Sequence, residues 1–212
     1  MILNADVAEQ VAKLLLDIKA VKLQPENPFL WTSGWKSPIY CDNRITLSYP
    51  KERTYLRQQL ANLIMERFGE IDIVAGIATA SIAQGALVAE DLGKPFIYVR
   101  PEAKAHGTKN QIEGVIAQGA SVVVIEDLIS TGKSSIAAAQ ALIAAGMRVK
   151  GVVSIFSYEF EAAVEAFKAA QLPVYALSGY QTLINYAQKE RYITENQFEV
   201  LGEWRKAPEL WG

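Results

Sequence analysis

Two adjacent acids, Glu126 and Asp127, follow an apolar run and precede a loop of hydroxyl residues. The apolar run covers 122–125, the loop is Ser-Thr-Gly-Lys-Ser at 130–134, and an alanine-rich stretch follows at 136–145. We predict a strand that ends at the acids and a loop that leads into a helix. The first turn of a helix has unpaired N–H groups and a partial positive charge, which suit phosphate oxygens. Acids beside it suit a hydroxyl-bearing or metal-bound ligand, and a sugar phosphate is the simplest molecule that needs both.

A P-loop and a simple capped helix are weaker alternatives for this stretch. Gly132-Lys133-Ser134 matches the end of a P-loop, but that motif needs a glycine five residues before Gly132, where Asp127 stands. A capped helix after a buried strand would need no ligand at all. It leaves two acids at a strand end, where neither helps stability unless something binds them.

A second stretch, at 100–114, concentrates positive charge. It contains two glycines, Gly107 and Gly114, and four side chains that are or can become cationic: Arg100, Lys104, His106 and Lys109. Most charge-rich loops are simply solvated. A mobile flap that closes cations over a polyphosphate is the alternative, with the glycines as hinge points.

A third stretch, Gly76 to Gly85, consists mostly of small residues at the junction of a predicted strand and helix. Two explanations fit this composition equally well. The small residues could allow tight packing of the helix on the sheet, or they could let the backbone approach a ligand's phosphates.

Composition limits the function further. The 212 residues suffice for one domain, and the net charge of −2 argues against a general nucleic-acid or membrane surface. The single cysteine, Cys41, excludes an internal disulfide and a cysteine zinc cluster, and we interpret it as a packing residue. The single histidine, His106, excludes a multi-histidine metal site. The N-terminal residues lack a signal-peptide pattern, so we expect a cytoplasmic protein.

Alternating strands and helices must position these residues. From residue 71 onward, apolar runs alternate with helical stretches, which predicts a parallel sheet covered on both faces. Ligands of such sheets bind at the carboxyl ends of the strands. Before residue 71 we predict a helix from Asn4, a bent or hairpin-like aromatic segment over 29–42, and a helix that begins at Pro50.

These stretches also resemble a known family. Ile125-Glu-Asp-Leu-Ile-Ser-Thr-Gly-Lys-Ser134 resembles the motif by which type I phosphoribosyltransferases bind phosphoribosyl diphosphate (PRPP). The segment 29–42, with its Thr-Ser-Gly-x-Lys-Ser-Pro core, and the stretch 100–114 resemble the N-terminal block and the catalytic flap of the orotate-specific members. The resemblance runs over about residues 5–205. It implies one α/β domain over 1–212 with the type I fold, a small hood at about 23–45 and a mobile flap at about 100–114.

The resemblance further implies a reaction and its residues. Orotate would attack PRPP with Mg²⁺ present, pyrophosphate would leave, and orotidine 5′-monophosphate would form in pyrimidine biosynthesis. Lys104, His106 and Asp127 would be catalytic, and Ser130 would contact orotate. The metal would have no direct protein ligands, and a homodimer would share its flaps across subunits. The PRPP-binding residues would be Arg100, Lys104, His106, Glu126, Asp127, Leu128, Ile129, Ser130, Thr131, Gly132, Lys133 and Ser134.

This chain departs from some family members at base-recognition positions. Thr32, Pro101 and Ala80 stand where some members have lysine, and Ser157-Tyr158-Glu159 lacks an orotate-binding arginine. The orotate carboxylate would then be held by backbone amides near 37–41 or by Lys36. A purine- or uracil-specific enzyme of the same family, and a regulator that binds PRPP without turnover, are the competing hypotheses. The first would lack the flap and the N-terminal block, and the second would need a basic face or an added domain.

Overall fold

The computed structural model describes residues 1–31, 34–101 and 111–211. A six-stranded sheet forms its centre, with strand order β10-β9-β8-β5-β6-β7, parallel except for the edge strand β7. The strands are β1 Val21–Leu23, β2 Phe29–Leu30, β3 Lys36–Ser37, β4 Ile39–Cys41, β5 Ile73–Ile77, β6 Phe96–Val99, β7 Ile112–Glu113, β8 Ser121–Ile129, β9 Arg148–Ser157 and β10 Val174–Gly179. The helices are α1 Ala5–Asp17, α2 Pro50–Phe68, α3 Ser81–Leu92, α4 Lys133–Ala144, α5 Glu161–Ala169, α6 Tyr180–Lys189 and α7 Glu195–Lys206, with a 3₁₀ helix over Asn43–Ser48.

Helices cover both faces of the sheet, as the alternation of strands and helices predicted. Successive residues of β8 point to opposite faces: Val123 and Ile125 join one core with α1, α2 and α6, whereas Val122 and Val124 join the other with α4 and α5. Both sides of β8 are therefore buried under helices, and its sequence is apolar almost without interruption. This is the pattern of a central strand in a parallel sheet.

Helix starts follow the predicted signals. The Asn4 side chain caps α1, since its Oδ1 accepts a hydrogen bond from the Val7 amide at 3.0 Å. Pro50 begins α2, where its missing N–H costs little.

Two boundaries around the acid pair were predicted wrongly. Strand β8 does not stop at the acids, because Leu128 and Ile129 still pair with Phe156 and Ser157 of β9. Helix α4 begins at Lys133, three residues before the predicted start. The prediction was late because the polar first turn of the helix has the composition of a loop. The connection between β8 and α4 therefore shrinks to residues 130–132.

A small hood stands at the carboxyl end of the sheet. It consists of two antiparallel pairs, β1 with β4 and β2 with β3, and of the 3₁₀ helix over Asn43–Ser48 that follows them. The pairing of β2 with β3 confirms the predicted hairpin-like segment. The Trp31 ring lies 5.1 Å from the Tyr158 ring and 5.6 Å from the Trp204 ring, measured between centroids. Trp204, on α7, is fully buried, and such aromatic pairs add to the apolar area that they bury. An aromatic cluster of Trp31, Tyr158, Phe160, Tyr180 and Trp204 thus joins the hood to the body.

Within the described part of the chain, we find no helix with the length and apolar character needed to cross a membrane.

Candidate active site

The acid pair lies on β8, beside the first turns of helices α3 and α4. The Glu126 side chain is 5% exposed, and each of its oxygens accepts hydrogen bonds. Ser81 Oγ, at the start of α3, donates to Oε1 at 2.9 Å, and the Asp127 amide donates to the same oxygen at 3.1 Å. Ser135 Oγ and Ser134 Oγ, in the first turn of α4, donate to Oε2 at 3.2 and 3.3 Å. Glu126 therefore joins two helix starts that are far apart in the sequence.

Burial shapes the electrostatics of this pair. Desolvation and the neighbouring Asp127 charge raise the pKa of Glu126 to about 8. Burial also raises the pKa of Asp127, the next residue, whose side chain points to the other face of the strand. The pair disfavours two negative charges, so it favours a shared proton, a cation or hydroxyl donors.

The loop at 130–132 has the geometry of an anion site. Gly132 has a φ of 77°, and a Cβ added there would lie 2.7 Å from Cε2 of Phe167. Only glycine fits this turn without strain. Among the described residues, no side chain caps the start of α4, so its first N–H groups remain for a ligand.

The hood contacts the acid pair directly. The buried Asn43 donates from Nδ2 to the Asp127 carbonyl at 2.6 Å. Its Oδ1 faces the Cys41 thiol at 3.4 Å. Burial raises the pKa of that thiol, which agrees with a packing role rather than a nucleophile. The hood thus fixes the backbone that carries Asp127.

The end of β9 holds a different arrangement from the one predicted. Glu159 has a φ of 55°. Its carboxylate accepts a hydrogen bond of 3.1 Å from the backbone N–H of Gln181, in the first turn of α6. Arg205 of α7 donates from Nη2 to the Glu159 carbonyl at 2.9 Å, and its guanidinium lies 6.0 Å from the Tyr180 ring centroid. An arginine therefore stands beside this strand end, but α7 supplies it. A groove of about 870 Å³ runs past it, with Thr131 and Trp35 also in its lining.

The structure describes only some of the residues that were predicted to supply positive charge. Arg100 follows β6, and its Nη1 lies 3.6 Å from Oε1 of Glu113 on β7. Lys104 and His106 lie outside the described residues, as does the whole of segment 102–110 within the predicted flap at about 100–114. The side chain of Lys36 is exposed on the hood, while its carbonyl accepts from Trp204 Nε1 at 3.3 Å.

Reasoning from sequence missed three residues of this region: Ser81, Asn43 and Arg205. Ser81 lies within the small-residue stretch that the sequence analysis noted, so that stretch was a usable signal. Asn43 and Arg205 act through contacts 84 and 46 positions away, and no local pattern marks them.

Comparison with known proteins identifies the family. The phosphoribosyl transferase domain family matches residues 51–168. The orotate phosphoribosyltransferase of Phocaeicola vulgatus is 52% identical over 200 residues, which cover 94% of each chain. That of Staphylococcus saprophyticus is 52% identical over 94% of this chain and 98% of its own. The crystal structure of the Aeropyrum pernix orotate phosphoribosyltransferase superposes with a TM-score of 0.75 at 27% identity, over 87% of this chain and 99% of that one. With its largely parallel sheet, its hood and the acid pair beside a glycine turn, this chain belongs to the orotate phosphoribosyltransferase family.

Proposed function

We propose that this enzyme transfers the phosphoribosyl group of PRPP to orotate, which gives orotidine 5′-monophosphate and pyrophosphate for pyrimidine biosynthesis. The observation that carries the proposal is the acid pair at 126–127 next to a glycine turn and a helix start that no described side chain caps. One side of this arrangement suits ribose hydroxyls and the other suits a phosphate. The choice of orotate as the base rests on the family to which the chain belongs.

Each part of PRPP has a candidate partner. Asp127 would accept hydrogen bonds from the ribose hydroxyls. Glu126 belongs to the same site, although serine hydroxyls already engage its oxygens. Backbone N–H groups over 128–134 would hold the 5′-phosphate. Arg100, Lys104 and His106 would bind the departing pyrophosphate.

Rate acceleration would come from positioning and electrostatics. Nucleophilic attack by orotate N1 on the anomeric carbon gives a transition state with oxocarbenium character, while negative charge moves onto pyrophosphate. Preorganised cations that contact the leaving group stabilise that charge. We assign the largest single effect to Lys104, with His106 and Asp127 as the other catalytic residues.

Mg²⁺ fits this site as a cofactor. Two adjacent carboxyl groups with raised pKa values favour a nearby cation. Within the described ranges, no group of three or more His, Cys, Asp or Glu side chains could hold a metal ion by itself. Magnesium would therefore take most of its ligands from substrate and water, and it would supply charge neutralisation of the pyrophosphate when bound.

Base recognition rests on the hood side of the site. Ser130 would donate its hydroxyl to orotate. The Ile39 amide already donates to Ser37 Oγ at 3.2 Å, so it is less available to a carboxylate. The other backbone amides near 37–41 and Lys36, exposed on the hood, are the candidate partners for the orotate carboxylate.

Assembly and location extend the proposal. The chain would form one domain over 1–212 and a homodimer in which each flap reaches the neighbouring site. A mixture of Lys104→Ala and Asp127→Asn proteins would then regain activity, because a hybrid dimer has one site with both residues intact. No recovery after subunit exchange would refute the shared flap. A cytoplasmic location stays a prediction from the sequence.

The deciding experiment is a spectrophotometric assay of purified protein with PRPP, Mg²⁺ and orotate. Consumption of orotate's ultraviolet absorbance is the expected result. Turnover with uracil or a purine but not with orotate would refute the base assignment, whereas binding of PRPP without any turnover would favour a regulator.

A further inference from the structure

Helix α7 lies between the hood and the chain that follows β9. On the hood side, Trp204 donates from Nε1 to the Lys36 carbonyl of β3 at 3.3 Å. On the sheet side, Arg205 donates from Nη2 to the Glu159 carbonyl at 2.9 Å and from Nε to the Tyr158 carbonyl at 3.4 Å. Two consecutive residues of one helix therefore hold the hood and the end of β9 at the same time.

The end of β9 is in turn bonded to the loop at 130–132. The backbone N–H of Tyr158 donates to the Ile129 carbonyl at 2.9 Å, and Ile129 is the last residue of β8 before that loop. Tyr158 is also buried against the hood, with its ring 5.1 Å from that of Trp31. A series of hydrogen bonds thus runs from the loop through Tyr158 and α7 to the hood.

Two indole N–H groups fix the hood segment 36–41. Trp204 holds the Lys36 carbonyl, and Trp31 donates from Nε1 to the Ile39 carbonyl at 3.1 Å. The C=O and N–H of a trans peptide point in opposite directions, so a held carbonyl also fixes the direction of the next N–H. The candidate partners of the orotate carboxylate lie in this same segment.

We propose that Trp204 and Arg205 are positioning residues for the base, which together fix the separation between the hood segment 36–41 and the loop at 130–132. The inference rests on the proposed function, because it takes orotate to contact both the hood segment and Ser130. Orotate must reach both at once, so its binding depends on their separation. The proposed PRPP contacts at 126–134 all lie on the sheet side of this link, so PRPP binding depends on it less.

The environment of the link makes it stiff. Trp204 is fully buried and Arg205 is half-buried, so water competes little for their bonds. A guanidinium that donates to a carbonyl also forms a stronger hydrogen bond than a neutral donor does. Ligand groups bind most tightly when their partners already stand at the correct spacing, since no ordering is needed on binding. Loss of the link should therefore weaken orotate binding.

The test compares Arg205→Met with Lys206→Met in the steady-state assay with orotate and PRPP. Methionine keeps the apolar stem of the side chain and removes its donors. We expect the KM for orotate to rise about tenfold in Arg205→Met, the effect of a lost hydrogen bond from a charged group, and the KM for PRPP to rise less than about twofold. Lys206 is the next residue on the same helix, is exposed and pairs with Glu203, so Lys206→Met removes the same charge and should leave both constants unchanged.

A second variant tests the hood side of the link. Trp204→Phe keeps an aromatic ring and removes the indole N–H, and we expect it to raise the KM for orotate selectively as well. The two residues act in series, so either change alone releases the hood. The double variant should therefore show less than the product of the single effects. A fully multiplicative effect would contradict a single link.

Hydrogen exchange gives a measurement that does not depend on activity. Amides of 36–41 should exchange faster in Arg205→Met and Trp204→Phe, and at the wild-type rate in Lys206→Met. Ser178→Ala breaks a buried hydrogen bond to the Ala8 carbonyl and controls for a general loss of stability, so it should leave exchange at 36–41 unchanged.

Two results would overturn the proposal: equal increases of both KM values in Arg205→Met, or exchange at 36–41 that stays at the wild-type rate in that variant. A wild-type protein that does not turn over orotate would instead refute the proposed function. The exchange measurement still tests the link between hood and sheet in that case.

Discussion

Replacement of Glu126 by glutamine should remove a pH-dependent loss of stability. Burial holds the pKa of Glu126 at about 8 in the folded chain, against 4.5 as its ordinary value. As the pH rises through 4.5, the unfolded chain releases this proton while the folded chain keeps it, so the folded state becomes relatively less stable. The contribution of Glu126 is therefore fully present below pH 4.5 and is lost as the pH approaches and passes 8.

The size of the effect follows from the two pKa values. One pKa unit corresponds to about 1.4 kcal/mol, so stability should fall by on the order of 3 kcal/mol between about pH 5 and pH 8 from this group. Since the side chain is 5% exposed, solvent screens little of this cost. Asp127, whose pKa burial also raises, acts in the same direction.

Urea unfolding at pH 5, 6, 7 and 8 without ligands would measure the effect. Glu126→Gln keeps the shape of the side chain and cannot ionise, so its unfolding free energy should fall less steeply with pH than that of the wild type. Glu165→Gln is a matched control, because Glu165 is an exposed glutamate on α5. Parallel pH profiles for wild type and Glu126→Gln would refute the reasoning.

Three further predictions concern the loop, the hood and the flap. Gly132→Ala should destabilise the fold by about 1–3 kcal/mol and raise the KM for PRPP, because the new Cβ meets Phe167 at a φ of 77°; Gly202→Ala, with no atom within 4 Å of its Cβ, should leave the fold as stable or more so in the same urea titration. Asn43→Ala should cost about 1–3 kcal/mol in unfolding free energy, since it leaves the Asp127 carbonyl without its 2.6 Å donor, and an unchanged urea midpoint would contradict this. Lys104→Ala should lower kcat about 100-fold with a smaller change in PRPP affinity, because the proposed contact of Lys104 would strengthen as pyrophosphate departs; steady-state and binding measurements would separate the two, and a change confined to KM would remove Lys104 from the transition state.

Local patterns predicted most of the fold. Apolar runs of strand length, helical periodicity and proline or asparagine at helix starts give the order of the elements, since each signal acts within a few residues. The end of β8 was misplaced because Glu126 and Asp127 interrupt its apolar run. The strand continues there because β9 pairs with Leu128 and Ile129, a contact that depends on a distant segment of the chain.

The structure brings the two acids and the loop after them together, but the sequence did not indicate how their side chains are oriented. The motif at 125–134 placed two acids next to a loop that leads into a helix, and the structure shows them adjacent. The orientation of the Glu126 side chain depends on strand pleat and on Ser81, a partner 45 residues away, so the sequence could not predict it. Arg205 illustrates the same limit, since a helix near the C-terminus supplies a cation to the end of β9.

The aromatic cluster between hood and body also gives this enzyme an intrinsic fluorescence probe of the hood's position. Three of the four tryptophans in the sequence lie in one chain of contacts: Trp35 stacks on Trp31 at 6.4 Å, and Trp31 meets Trp204 edge-on at 5.6 Å. Two of these rings belong to the hood and one to α7. Any lifting of the hood would expose Trp204 and separate the indoles, so intrinsic fluorescence would report hood movement during turnover without an attached label.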